Sequence, residues 1–228
     1  MRTSHASPLW LRIGFWICIV ISIAVVLRRV IALAYPPRSA PPQLASLDAV
    51  FASHTALTLA HILPALAFVV VVPFVYLRRG ASWPERLLFP LGLVVGITAY
   101  AMSTYPVGGW VERSAVLFFN SLFLFSLVRA WRERNGDQRL KMQWLTRAIA
   151  ILLGIATTRP VMGIFFATSS LTHLEPRQFF GIAFWIGFSI NTVIVELWLR
   201  SQSGQEQFKS ISSVQIPDSP ARIKRGAA

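Results

Sequence analysis

A chain of 228 residues that is 54% hydrophobic and only 14% charged is too apolar for an ordinary soluble domain, and it reads as an integral membrane protein. A net charge of +13 would suggest nucleic acid as a partner, but most of the basic residues flank apolar runs, where they orient a membrane protein instead. The single cysteine, Cys18, excludes an intramolecular disulfide and any multi-cysteine metal or iron–sulfur site.

A helix needs roughly 20 apolar residues to cross a bilayer core. Six runs meet or approach that length, at about 10–35, 53–77, 87–105, 114–131, 142–167 and 179–199. The runs are continuous, whereas barrel strands alternate at period two and last only about ten residues. The predicted fold class is therefore all-α, a bundle of six transmembrane helices. In the first run Arg28 and Arg29 interrupt the apolar stretch before "VIALAYPP". The "ALA" at 32–34 matches a signal-peptidase pattern, but a charged pair just ahead of it is atypical of a cleaved signal, so the segment is read as an uncleaved helix. The Pro-rich "PPRSAPPQLASLD" at 36–48 is a linker.

The second run carries His54, Thr58 and His61 on one face, because residues seven apart lie about two turns apart on a helix. The third contains "GLVVG" at 92–96, a GxxxG match read as tight packing within the bundle, and Tyr100. The fourth carries Asn120. The fifth carries Arg147 and, inside "ATTRPVMG", Arg159. The sixth carries Asn191 and Glu196, the latter read as the one carboxylate inside the spans. Residues 201–228 are polar and rich in Ser and Gln, and are read as a disordered cytoplasmic tail.

An even number of spans puts both termini on one side. That side collects Arg2, Arg12, Arg78, Arg79, Arg86, Arg129, Arg132, Arg134, Arg139, Lys141, Arg200, Lys209, Arg222, Lys224 and Arg225. The other receives Arg28, Arg29, Arg38, Arg113 and Arg177, so the positive-inside rule places both termini in the cytoplasm and the chain in the cytoplasmic (inner) membrane. The basic residues thereby find a role without nucleic acid. The lipid bilayer is the expected partner, together with a membrane protein or a small ligand.

Polar residues inside spans are costly unless they face the bundle or water, so they mark sites. Two levels emerge. His54, His61, Tyr100, Asn120 and Arg159 lie toward the outer side and are expected to form a ligand-binding polar pocket. Arg159 is expected to bond the Ala156 carbonyl, which loses its helical donor to Pro160, and the Asn120 side chain. Arg147, Asn191 and Glu196 form an inner cluster: Arg147 and Glu196 are equally deep and opposite in charge, which permits an ion pair, with separate snorkelling to the headgroups as the alternative. Asn191, one turn after Gly187, is read as fastening a helix contact.

The stretches "FASHTALTLAHILPALAFVVVVPFVYLRR", "PERLLFPLGLVVGITAYAMS", "MQWLTRAIAILLGIATTRP" and "FWIGFSINTVIVELWLR", over about residues 50–200, resemble an uncharacterised family of small predicted bacterial membrane proteins, filed as a domain of unknown function. The more specific part is C-terminal: Trp144, Arg147 and Arg159, then Asn191 and Glu196. Family members often carry a Gly-Pro-x-Gln pattern near the end of the second helix and a His-Arg pair before the third and fifth. Here "VVPFVY", "PERLL" and "RLKMQW" stand at those places, which removes possible inner-side histidines, so a histidine-dependent activity of relatives does not carry over to this chain by resemblance. The resemblance supplies no reaction.

The chain has no HExxH, no phosphate-binding glycine loop, no G-x-S-x-G elbow and no cysteine pair, so no catalytic or metal site is expected. Helical bundles can bind b-type haem through paired histidines, but His54 and His61 share one helix face, and His54 with His173 is the pair that remains. The leading expectation is a non-catalytic accessory, sensory or ligand-binding membrane protein with no cofactor. The alternative is a membrane redox protein binding b-type haem or quinone.

Overall fold

In the computed structural model, residues 8–35, 49, 51–77, 83–173 and 176–214 are described. Among them the chain is all helix, with no strand. The six long helices are α1 (Leu9–Ala34), α2 (Thr55–Leu77), α3 (Trp83–Met102), α4 (Gly109–Arg132), α5 (Gln138–Thr172) and α6 (Pro176–Val214). Each contains a segment long and apolar enough to cross a membrane, so the helices present lipid-facing surface. Large apolar side chains on that surface, such as Leu93, Ile97, Phe125 and Leu197, are exposed, which in lipid carries no penalty.

The helices start and stop where local chemistry dictates. Asp137 caps α5, its Oδ1 accepting from the backbone N–H groups of Arg139 at 2.8 Å and Leu140 at 3.3 Å. Arg129 and Arg132 sit in the last turn of α4, where the exposed carbonyls favour cations. His173 closes α5 in the left-handed conformation, φ 52°, with its N–H bonded to the Ser169 carbonyl. The last helix continues through 201–214, beyond the end of its apolar run, and residues 215–228 lie outside the described residues, as does the linker at 36–48.

The principal contacts form a closed cycle, α1 to α2, α2 to α3, α3 to α4, α4 to α5 and α5 back to α1, with α6 packed against α4 and α5. Small residues set the closest approaches. A Cβ on Gly96 would fall within 3 Å of Leu124, and one on Gly92 within 2.7 Å of Leu127, so the "GLVVG" motif seats α3 against α4 inside this chain. On α6, a Cβ at Gly187 would lie 2.6 Å from the Thr158 backbone nitrogen of α5, and one at Gly181 would lie 2.6 Å from the Glu112 nitrogen of α4. These two contacts also fix the register: Thr158 is level with Gly187, and Glu112 with Gly181.

The main core lies toward the end of the bundle that carries the termini. Phe68 and Val72 of α2, Leu88 of α3, Phe123 and Leu127 of α4 and Leu145 and Ala148 of α5 are buried there. A polar contact crosses this end: Lys141 Nζ lies 2.7 Å from Glu85 Oε2, with the lysine side chain only 6% exposed. The charge pattern enrols Lys141 among the orienting cations, but the fold gives it a partner on α3.

Candidate functional site

Toward the opposite end lies a cavity of about 240 Å³, lined by residues of all six helices and of the α3–α4 loop. His61, Asn120 and Arg159 line it together, and Ser22, Arg29, Thr58, Glu112 and Arg113 join them. The remainder of the wall is largely apolar, with Phe119 of α4 and Phe180, Phe184 and Phe188 of α6 on one side.

Each polar residue has a distinct local arrangement. Thr98 donates its one hydroxyl hydrogen to the carbonyls of Val94 at 2.7 Å and Val95 at 3.1 Å. Its oxygen therefore accepts from His61 Nδ1, 3.0 Å away, which places a proton on that ring nitrogen. Asn120 donates from Nδ2 to the Gly96 carbonyl at 2.9 Å, which ties α4 to the small-residue face of α3.

Arg159 does not bond Asn120 or a freed carbonyl. Its Nη1 has only a weak contact with Met162 Sδ at 3.9 Å, and its Nε is buried without a hydrogen-bond partner. The Asn120 Nδ2 is turned instead to the Gly96 carbonyl across the α3–α4 contact. His54 and Tyr100 stand outside the cavity lining. The His54 ring packs on Tyr105, centroids 3.9 Å apart, and the Tyr100 hydroxyl pairs with Ser121 Oγ at 2.7 Å.

Among the cavity residues that escaped the sequence reading are Glu112 and Arg113. Helix α4 begins at Gly109, ahead of the apolar run at 114, so Glu112 lies within its first turn and is 9% exposed. Its Oε2 accepts from the Gly108 N–H at 2.6 Å, a helix-start bond that a carboxylate three residues past a Gly-Gly pair signals. Arg113, assigned to orientation, lines the cavity beside it. Its guanidinium carbon lies 5.4 Å from the Trp110 ring centroid and its Nε is buried without a partner.

Side-chain polar atoms buried without any hydrogen bond number five among the described residues, and three of them, Ser22 Oγ, Arg113 Nε and Arg159 Nε, belong to the cavity lining. Such groups are costly and rare. Neither arginine makes an ion pair with a carboxylate among the described residues. Glu112 makes no ion pair with either, and its Oε2 accepts from the Gly108 N–H of the α3–α4 loop.

The inner cluster forms a separate seam. Arg147 Nε donates to Glu196 Oε2 at 2.8 Å, while Arg200 Nε donates to Glu196 Oε1 at 2.9 Å. The Arg147 guanidinium also lies 4.6 Å from the Trp144 ring centroid. Asn191 Oδ1 accepts from Thr157 Oγ1 at 2.7 Å, and its Nδ2 donates to the Ala150 carbonyl at 3.3 Å. Every one of these bonds ends on protein, so the seam fastens α5 to α6. No group of three or more His, Cys, Asp and Glu that could hold a metal ion occurs among the described residues.

Residues 84–199 match the family described as predicted membrane protein DUF2306, and the chain belongs to that family. The match runs from the start of α3 into α6, so it includes Glu112, Arg113, Asn120 and Arg159 and excludes His54 and His61. Neither a curated protein nor a solved structure matches the chain.

Proposed function

We propose that this DUF2306 chain is a ligand-binding protein of the bacterial cytoplasmic membrane, with both termini in the cytoplasm, a cavity facing outward, and an accessory or sensory role without chemistry of its own. The observation that carries this reading is Arg159: a guanidinium within a span, lining a cavity, with its Nε buried and unbonded and only a weak Met162 Sδ contact at Nη1 among the described residues. A charge held in that way is expensive unless something else answers it. The contrast with Arg147 is informative, since that arginine has a carboxylate at 2.8 Å and is not part of this cavity's lining. The orientation rests on the accumulation of Lys and Arg at the end that carries the termini.

Native mass spectrometry of the chain purified in mild detergent tests the proposal. A small molecule should accompany the native protein and be absent from Ala99→Phe, which places a ring in the cavity wall. Arg159→Lys should lower its occupancy, because a point charge lacks the planar five-donor fork. Equal spectra from native protein and Ala99→Phe, with no bound molecule in either, would overturn the reading. A Soret band in the absorption spectrum would replace it with a redox role.

A further inference from the structure

The cavity has a graded chemistry along its depth. Glu112 is level with Gly181 and Thr158 with Gly187, so the Arg113 end and the Arg159 end are separated by about six residues of α6, roughly 9 Å at ~1.5 Å per residue. Along the same stretch Phe180, Phe184 and Phe188 follow one another at helical spacing, with successive ring centroids 5.1 and 5.7 Å apart, and all three line the cavity. Phe119 of α4 stacks on Phe188 at 5.3 Å and continues this wall. The cavity lining thus includes Arg29, Arg113 toward one end, Arg159 at depth, and an aromatic face running between the last two. Neither Arg113 nor Arg159 makes an ion pair among the described residues, and the carboxylate in the same lining, Glu112, is bonded to the Gly108 N–H.

Resting on the ligand-binding reading above, we infer that the cavity accepts an amphipathic monoanion, an oxyanion head seated at Arg159 with an alkyl tail lying along Phe180, Phe184 and Phe188. An oxyanion supplies the acceptor atoms that a planar guanidinium fork needs. A tail covers the apolar wall, which a bare inorganic anion would leave wet. Arg113 nearer the mouth draws the anion inward. The volume, about 240 Å³, sets the scale at a head and a chain of medium length. A free carboxylate and a phosphate ester of a lipid present the same chemistry.

The test is isothermal titration and thermal unfolding of the full chain in neutral detergent with octanoate, octyl phosphate, octanol, octylamine and butanoate as probes. Octanoate or octyl phosphate should bind and raise the unfolding temperature, with butanoate at least about 10-fold weaker and octanol and octylamine without saturable effect. Tighter binding of octanoate assigns the site to a free carboxylate, and tighter binding of octyl phosphate assigns it to a lipid phosphate; either supports the inference. Arg159→Gln should weaken the anion by on the order of 10-fold or more, the range of hydrogen bonds to charged groups. Phe184→Ala, which leaves both cations in place, should narrow the difference between octanoate and butanoate. Equal stabilisation by octanol, or no response to either anion, overturns the inference. If an uncharged molecule still copurifies and is lost in Ala99→Phe, the ligand-binding reading survives and the anion assignment alone fails; an empty cavity throughout removes both.

Discussion

Arg147 of α5 and Glu196 of α6 meet at 2.8 Å, and the carboxylate's second oxygen is held by Arg200, so one acid joins two cations at the end of the bundle that carries the termini. The pair is only partly sheltered, with side chains 23% and 32% exposed, so its contribution is closer to that of a surface bridge than to that of a buried one. Arg147→Met should cost about 1 kcal/mol and Glu196→Gln a similar amount. The double variant should lose less than the sum, which thermal unfolding in detergent measures directly. Strict additivity would mean that the two side chains reach the headgroups independently.

The Lys141–Glu85 pair should behave differently. Its lysine is almost fully enclosed, so Lys141→Met leaves a partly buried carboxylate unpaired and should cost up to about 3 kcal/mol, while Lys141→Met with Glu85→Leu should recover much of that loss. A double variant as unstable as the single one would show that packing at this end matters more than the charge.

Two glycines give a matched comparison of close approach. At Gly187 a Cβ would meet the Thr158 backbone at 2.6 Å, so Gly187→Ala must push α6 from α5 and should destabilise by about 1–3 kcal/mol. At Gly163 a Cβ would meet nothing within 4 Å, so Gly163→Ala should be neutral or stabilise by up to about 1 kcal/mol through helix propensity. Unfolding curves with the order reversed would contradict the α5–α6 register that levels the cavity.

Topology can be read with reporters. Cytoplasmic reporters fused after Arg79, after Lys141 and at the C-terminus should be active, because the basic residues gather on that side. External activity at the C-terminus would exclude the six-span orientation. A mature N-terminus near Tyr35 would show that the first helix is removed.

The six helices were legible in the sequence because crossing a bilayer demands long continuous apolar runs, a constraint written into composition before any tertiary contact exists. Arg147, Asn191 and Glu196 were legible for a related reason: polar groups inside a span stand out one by one, and their depth follows from residue counting. Which partner each group finds depends on helix rotation and on neighbours distant in the chain, so only the folded bundle decides it. Asn120 turns to the Gly96 carbonyl instead of Arg159, Tyr100 to Ser121, and His61 to Thr98. Glu112 and Arg113 looked like boundary charges because α4 begins five residues ahead of its apolar run, and the packing of Gly181 beside Glu112 is what draws that extra turn into the protein. Apolar run length and the polar breaks in it specify a membrane-spanning all-helical chain and its polar positions. That two guanidinium groups with no ion pair among the described residues share a cavity with an aromatic wall comes from the packing of the bundle, since spacing along one helix carries no information about what the next helix presents to it.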